Sequence, residues 1–186
     1  MTPARDTRGQ IMDAFADQLA TTGYSGISLV GVARTAGIQK PSVYHHFPGG
    51  KEEIYREVTL RFIARLSERV TAAIATDGTL DDKLIALAAA SADHTAAAVS
   101  FEQRIYDTLD QVSEETRTLV SRRYVDGVLH PVVGFFARAV DGGEIDGEPE
   151  FLMNSFLHLA RAADLINAHD DASRLVKLFM NGARAK

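Results

Sequence analysis

Apolar residues in this chain recur at steps of three and four in segment after segment, and no stretch of convincing length alternates apolar with polar residues. That spacing restricts the fold to packed helices, because a helix buries a stripe of period 3.6 whereas a half-buried strand needs period two. Glycine and proline punctuate the segments. Ile11, Ala14, Phe15 and Leu19 form one stripe between a cap at Asp6 or Thr7 and a stop at Gly23, which predicts a helix over Thr7 to Thr22. Ser28 caps a short helix carrying Leu29, Val32, Ala33 and Ala36, ended by Gly37. Pro41 suits the first turn of a third short helix that ends near Phe47, before Pro48-Gly49-Gly50.

A long helix is expected from Lys51 to about Ala75, with Ile54, Val58, Phe62, Ile63, Leu66, Val70 and Ile74 on one side. Thr79-Leu80-Asp81-Asp82 has the form of a capping box with Asp in place of Glu, opening an alanine-rich helix to about Ala98. Phe101 to Gln111 reads as a further helix, and Ser113-Glu114-Glu115 starts a long one reaching Val140 with a kink at Pro131. Asp141 to Gly147 is the clearest loop, Pro149 opens a helix to about Asn167, and Asp170 or Asp171 caps a last one to about Gly182. The fold class is therefore all-α, about nine helices, with a compact three-helix bundle at the N-terminus.

The net charge of −5 over 186 residues argues at first against a nucleic-acid partner, since phosphate binding draws on cations and counterion release. Its distribution reverses that impression. Residues 1–69 hold nine Lys/Arg and seven Asp/Glu, whereas 70–186 hold eleven and eighteen. No acidic residue occurs from Gln18 to Lys51, a stretch that carries Arg34, Lys40, His45, His46 and Lys51. An acid-free surface inside an acidic protein is where an electrostatic footprint belongs.

A short helix, a glycine turn and a second short helix form the layout in which the second helix enters a major groove while the first braces it. Ala33 is small where the two helices must approach, and Gly37 allows a left-handed turn that a β-carbon would oppose. Between Gln39 and His46 the polar groups are short and diverse, as base-edge reading requires, while Val43 and Phe47 supply an inward face four residues apart. Bundles of this shape also occur in proteins that never touch DNA.

The run GYSGISLVGVARTAGIQKPSVYHHFPGGKEEIYREVTLRFIARL, from Gly23 to Leu66, resembles the DNA-binding region of the TetR family. The likeness rests on Phe15, the Gly-Tyr pair, the core from Ile27 to Phe47 and the following Lys-Glu-Glu, all in order. It implies a helix-turn-helix domain over residues 1–50, with the start of the fourth helix reaching about residue 69. It also implies an effector-binding and dimerisation domain over 51–186. Ser28 would cap the supporting helix and reach a phosphate; Gln39, Lys40, Pro41, Ser42 and His45 would face the groove. Tyr44, His46 and Lys51 would contact phosphates, with Arg34 on the flank. Gly31 departs from the family pattern and is expected to cost about 1 kcal/mol of helix stability. The glycines before Lys51 are a second departure. By resemblance the chain would act as a one-component regulator, most simply a repressor, binding a palindromic operator in double-stranded DNA as a homodimer and released by a small effector.

The C-terminal part resembles the family only in length and helical content. Phe151, Leu152, Phe156, Leu159, Ala163 and Ile166 form a broad stripe, and Leu175, Val176, Leu178, Phe179 and Met180 surround much of the last helix. Such helices either contribute to a four-helix dimer interface or pack into their own core. The interface set on the first reading is Phe151, Phe156, Leu159, Ala163, Ile166, Leu175 and Phe179. His94, Phe101, Tyr106, Tyr124, His130, Phe135 and Met153 lie on helices that wall the family's effector pocket, although each also suits a core. The acidic balance of this part favours a neutral or cationic lipophilic effector over an anion.

Composition and motifs narrow the alternatives. With 46% hydrophobic and 24% charged residues the chain is of ordinary globular type. It has no apolar run of membrane-spanning length and no signal-like start, so a cytoplasmic protein is expected. The absence of cysteine removes disulfides, thiolate metal sites and cysteine nucleophiles. The six histidines have no metal-ligand spacing, and GxSxG, HExxH and GxGxxG do not occur. Gly50-Lys51 is not the end of a phosphate-binding loop, since His stands at 45 and Glu at 52. No enzyme activity and no cofactor are expected. The competing reading is an architectural DNA-coating protein, which the acidic C-terminal part disfavours.

Overall fold

The computed structural model describes residues 6–91, 104–164 and 171–183. Among these residues every regular element is helical, as the periodicity requires. They fall into two compact units, the first holding 6–62 and 104–122, the second 63–91, 123–164 and 171–183.

In the first unit, α1 spans Thr7–Gly26, and Asp6 caps it by accepting the Gly9 N–H at 2.9 Å. Gly23, at φ 68° and ψ 168°, interrupts the helix where a stop is expected, and one further turn follows it. Next come α2 (Leu29–Thr35) and α3 (Lys40–His46). Ser28 caps α2 through its Oγ, which accepts the Gly31 N–H at 3.0 Å. Gly37 closes it in a Schellman motif: Ile38 N–H bonds Ala33 C=O at 3.0 Å and Gly37 N–H bonds Arg34 C=O at 3.2 Å. Gly37 sits at φ +68°, so any side chain there would carry about 1–2 kcal/mol of left-handed strain, although a β-carbon would meet nothing within 4 Å.

The first part of α4 (Gly50–Ile74) and a helical stretch at 104–108, here α6, complete this unit. A 3₁₀ turn, Leu109–Gln111, and α7 (Glu114–Tyr124) follow. The core joins Ile11, Phe15 and Leu19 of α1, Val32 and Ala33 of α2, Val43 and Phe47, and Ile54, Tyr55 and Val58 of α4. Ile105 of α6 is part of the same core, so the bundle is completed by residues far along the chain.

In the second unit, α5 (Leu80–Ser91) opens with the expected capping box: Thr79 N–H and Oγ1 donate to Asp82 Oδ2 at 2.9 and 2.6 Å, and Asp82 N–H donates to Thr79 Oγ1 at 3.2 Å. Where a kink at Pro131 is expected, a π-helical turn at Val125–Leu129 precedes α8 (His130–Asp141), and His130 N–H bonds Val125 C=O. Proline has no N–H to continue the ladder and its ring crowds the carbonyl four residues back; a widened turn accommodates both. Helices α9 (Pro149–Asp164) and α10 (Asp171–Ala183) pack on each other and on α5, α9 also packs on α8, and Phe136 of α8 meets rings of both α9 and α10. Phe136 lies 5.3 Å from Phe135, 5.9 Å from Phe156 and 5.8 Å from Phe179, centroid to centroid, in tilted or edge-to-face pairs. Such pairs contribute about 0.5–1.5 kcal/mol each beyond their buried area.

Candidate nucleic-acid interface

Helix α3 is short and amphipathic. Its one buried residue is Val43, and Phe47 just beyond its end is also fully buried. These two, four residues apart, fix which side of α3 faces the core. The opposite side carries Gln39, Lys40, Pro41, Tyr44 and His45, all exposed, with Ser42 and His46 half-buried. Tyr44 keeps 45% of its surface open, with the Lys40 ammonium 5.8 Å from its ring. Ser28, the cap of α2, and Arg34 within α2 are both exposed. Gly31 has a local reason: a β-carbon there would lie 3.1 Å from both Gln18 Oε1 and Ser28 Oγ, and the Ser28 oxygen is already committed to the cap.

Lys51 is half-buried at the start of α4, and its ammonium lies 4.3 Å from the centre of the Tyr24 ring. Burial pulls its pKa below the usual lysine value. The same burial, with the nearby Glu52 charge, pushes the Tyr24 phenol up. Tyr24 stacks edge-on against Tyr55 at 5.5 Å, and Tyr55, pushed up to about 12 by burial, donates to the Ile105 carbonyl at 3.0 Å.

Glu52 is equally committed. Its Oε1 accepts the Ser113 N–H at 3.1 Å, the Thr116 hydroxyl at 2.6 Å and the Ser113 hydroxyl. This carboxylate occupies the N-terminus of α7, where orphan N–H groups and the helix dipole favour an anion. The Ser113 and Thr116 hydroxyls hold its pKa below the ordinary 4.5. A carboxyl whose pKa is lower folded than unfolded stabilises above its unfolded value and loses that contribution as pH falls through the folded one. Thermal melts from neutral to about pH 3 are therefore expected to show a smaller acid-induced loss of stability for Glu52→Gln than for the wild type. An identical acid limb in the two proteins would show that the latch is energetically silent.

An outward polar helix braced by a capped partner, on an acid-free stretch, coincides with a family match. Residues 11–58 match the sequence profile of bacterial regulatory proteins, tetR family. This N-terminal stretch carries the TetR-family DNA-binding region. The chain is 36% identical over 67 residues to the HTH-type transcriptional regulator AlkX of Mycobacterium tuberculosis, covering 36% of this chain and 31% of that protein. To the HTH-type transcriptional regulator LmrA of Bacillus subtilis it is 39% identical over 49 residues, 26% of each chain. The chain thus matches about a third or less of the length of these curated relatives. Beyond that region the likeness is one of fold: a regulatory protein in the tetR family from Rhodococcus RHA1 superposes with a TM-score of 0.81, at 16% identity, over 98% of this chain and 100% of that one.

The effector candidates expected from the TetR resemblance divide between the two units. Tyr106 is half-buried in the first unit, whereas Tyr124, His130, Phe135 and Met153 belong to the second. Phe135 and Met153 are buried, Tyr124 is half-buried, and His130 is exposed with its Nδ1 3.4 Å from Asp126. His94 and Phe101 lie outside the described residues, as does Ile166. Of the interface set, Phe156 is fully buried against Phe136 and Phe179, and Leu175 and Phe179 are each only 7% exposed, so all three serve the core of their own unit. Leu159 is half-buried and Ala163 is on α9. Phe151 is 65% exposed. Leu178, in the apolar stripe but not in the interface set, is 64% exposed. Sequence reasoning also passed over Arg8 and Glu52, whose partners lie 38 and 61 residues away. No helix among the described residues is long and apolar enough to cross a membrane.

Proposed function

We propose that the protein is a one-component transcriptional regulator that binds a palindromic operator as a homodimer and leaves it when a small lipophilic effector binds its second unit. The observation that carries this reading is the presentation of α3, with Val43 buried and Gln39, Lys40, Pro41, Tyr44 and His45 open to solvent. A helix held this way can lay its polar side against base edges, and Ser28, Arg34, His46 and Lys51 flank it as phosphate contacts. Two such helices one duplex turn apart, or slightly more, would read half-sites in successive major grooves, roughly 34–36 Å centre to centre. Occupancy alone would block transcription, so repression is the simplest outcome. An effector that prefers the dimer with misspaced heads would relieve it.

The dimer contact we assign to the outer faces of α9 and α10, around Phe151, Leu178 and Leu159. Residues 1–50 would form the reading domain and 51–186 the effector and dimerisation domain. Within the latter, Tyr124, Phe135 and Met153 are the candidate effector contacts in the second unit.

The test is to sequence duplex fragments selected from random DNA by the purified protein, then to measure affinity across a salt series. Lys51→Ala is expected to weaken all sequences alike and to lower the salt slope by about one, whereas Gln39→Ala should change the preferred bases. Recovery of no shared palindrome would overturn the proposal.

A further inference from the structure

We infer that Arg8, on α1, is a positioning residue for the groove-facing helix α3, setting its angle without touching DNA. The inference rests on the DNA-binding reading above and deepens it. One guanidinium joins three elements of the first unit. Its Nη1 donates to the carbonyl of His46, the last residue of α3, at 2.7 Å. Its Nη2 lies 3.3 Å from Glu57 Oε2 on α4. Its Cζ stands 4.3 Å above the centre of the Phe47 ring.

Helix α3 needs such a hold. Gln39 gives it no side-chain cap at its start, and Val43 is its one buried residue. Seven residues make few internal bonds, and the terminal carbonyls have no partner further along the helix. A cation at that end bonds an orphan carbonyl and faces the negative pole of the helix. Only a planar fork can do this while also meeting a carboxylate and standing over a ring, which arginine offers and lysine does not. Arg8 itself is anchored, since Asp6 caps the same turn of α1.

Positioning and phosphate contact make different predictions. If Arg8 sets the angle of α3, Arg8→Ala should lower affinity for the selected operator about ten-fold, the loss expected for one charge-assisted hydrogen bond. Affinity for random duplex should change less than about two-fold, with the salt slope unchanged, because no phosphate contact is lost. Without DNA, amide hydrogens of residues 44–47 should exchange about ten-fold faster, while those of Phe15 and Leu19 in α1 keep their rates. Arg8→Lys keeps the charge and guards against a failure to fold; it should match the wild-type salt slope yet retain the fast exchange.

Several outcomes would overturn the inference: unchanged exchange in residues 44–47, a uniform rise throughout the unit, equal losses on operator and random DNA with a lower slope, or full rescue by lysine. Should the wild type select no operator while residues 44–47 respond as described, the hold on α3 stands and the DNA reading falls.

Discussion

Replacing Phe47 with alanine is expected to cost about 3–5 kcal/mol, the range for removing a fully buried phenylalanine, against a total stability of about 5–15 kcal/mol. Phe47 is completely inaccessible, follows the last residue of α3 and packs in the core shared by α1, α2 and α4. Its removal would leave a cavity under α3 and take away the ring on which Arg8 lies. Sequence-specific binding should fall below detection before the second unit loses structure, because Phe47 belongs to the first unit alone. Urea unfolding followed by circular dichroism, with hydrogen exchange resolved by segment, measures both parts. A variant that loses less than about 1 kcal/mol would show that the site collapses around the missing ring and that α3 does not depend on it.

The second large effect concerns assembly. If the proposed dimer forms through the outer faces of α9 and α10, Phe151→Glu combined with Leu178→Glu is expected to leave a monomer, raising the dissociation constant by about 10³-fold or more, since central apolar anchors contribute about 2–4 kcal/mol each. Both residues are nearly two-thirds exposed in the single chain, so their replacement should leave the fold of each chain intact. Sedimentation across a concentration series gives the constant, and far-ultraviolet circular dichroism checks the fold. A double variant that dimerises like the wild type would move the interface elsewhere. Loss of operator binding in a folded monomer would tie the two heads to a single palindrome.

What could be read from the sequence was whatever its residues settle within a few positions of themselves. Ser28 with Gly31, Thr79 with Asp82, Gly37 with Arg34 and Ile38 with Ala33 are bonds between near neighbours, so caps and turns were legible as spacing. Val43 and Phe47 marked the inner side of α3 for the same reason, and the polar set from Gln39 to His45 emerges on the other side. The interface set was harder. Phe151 and Phe156 belong to one broad apolar stripe of α9 but stand about 140° apart around it, and Phe156 is fully buried whereas Phe151 is not. Periodicity identifies an apolar face without saying whether its partner is the same chain or another.

The order of residues thus determined an all-helical fold class with an N-terminal helix-turn-helix and an acid-free stretch, because helix period, capping and local charge are properties of short segments. Tertiary structure alone decided that Ile105 returns to complete the N-terminal core, that Glu52 is latched to Ser113 and Thr116, and that Arg8 grips the end of α3. Those contacts join residues 38 to 64 positions apart, or more. No local preference encodes them: Ile105 is placed by apolar burial in the packed core, and the other two arise when packed helices bring an unpaired carbonyl or helix end within reach of a charged side chain that can satisfy it.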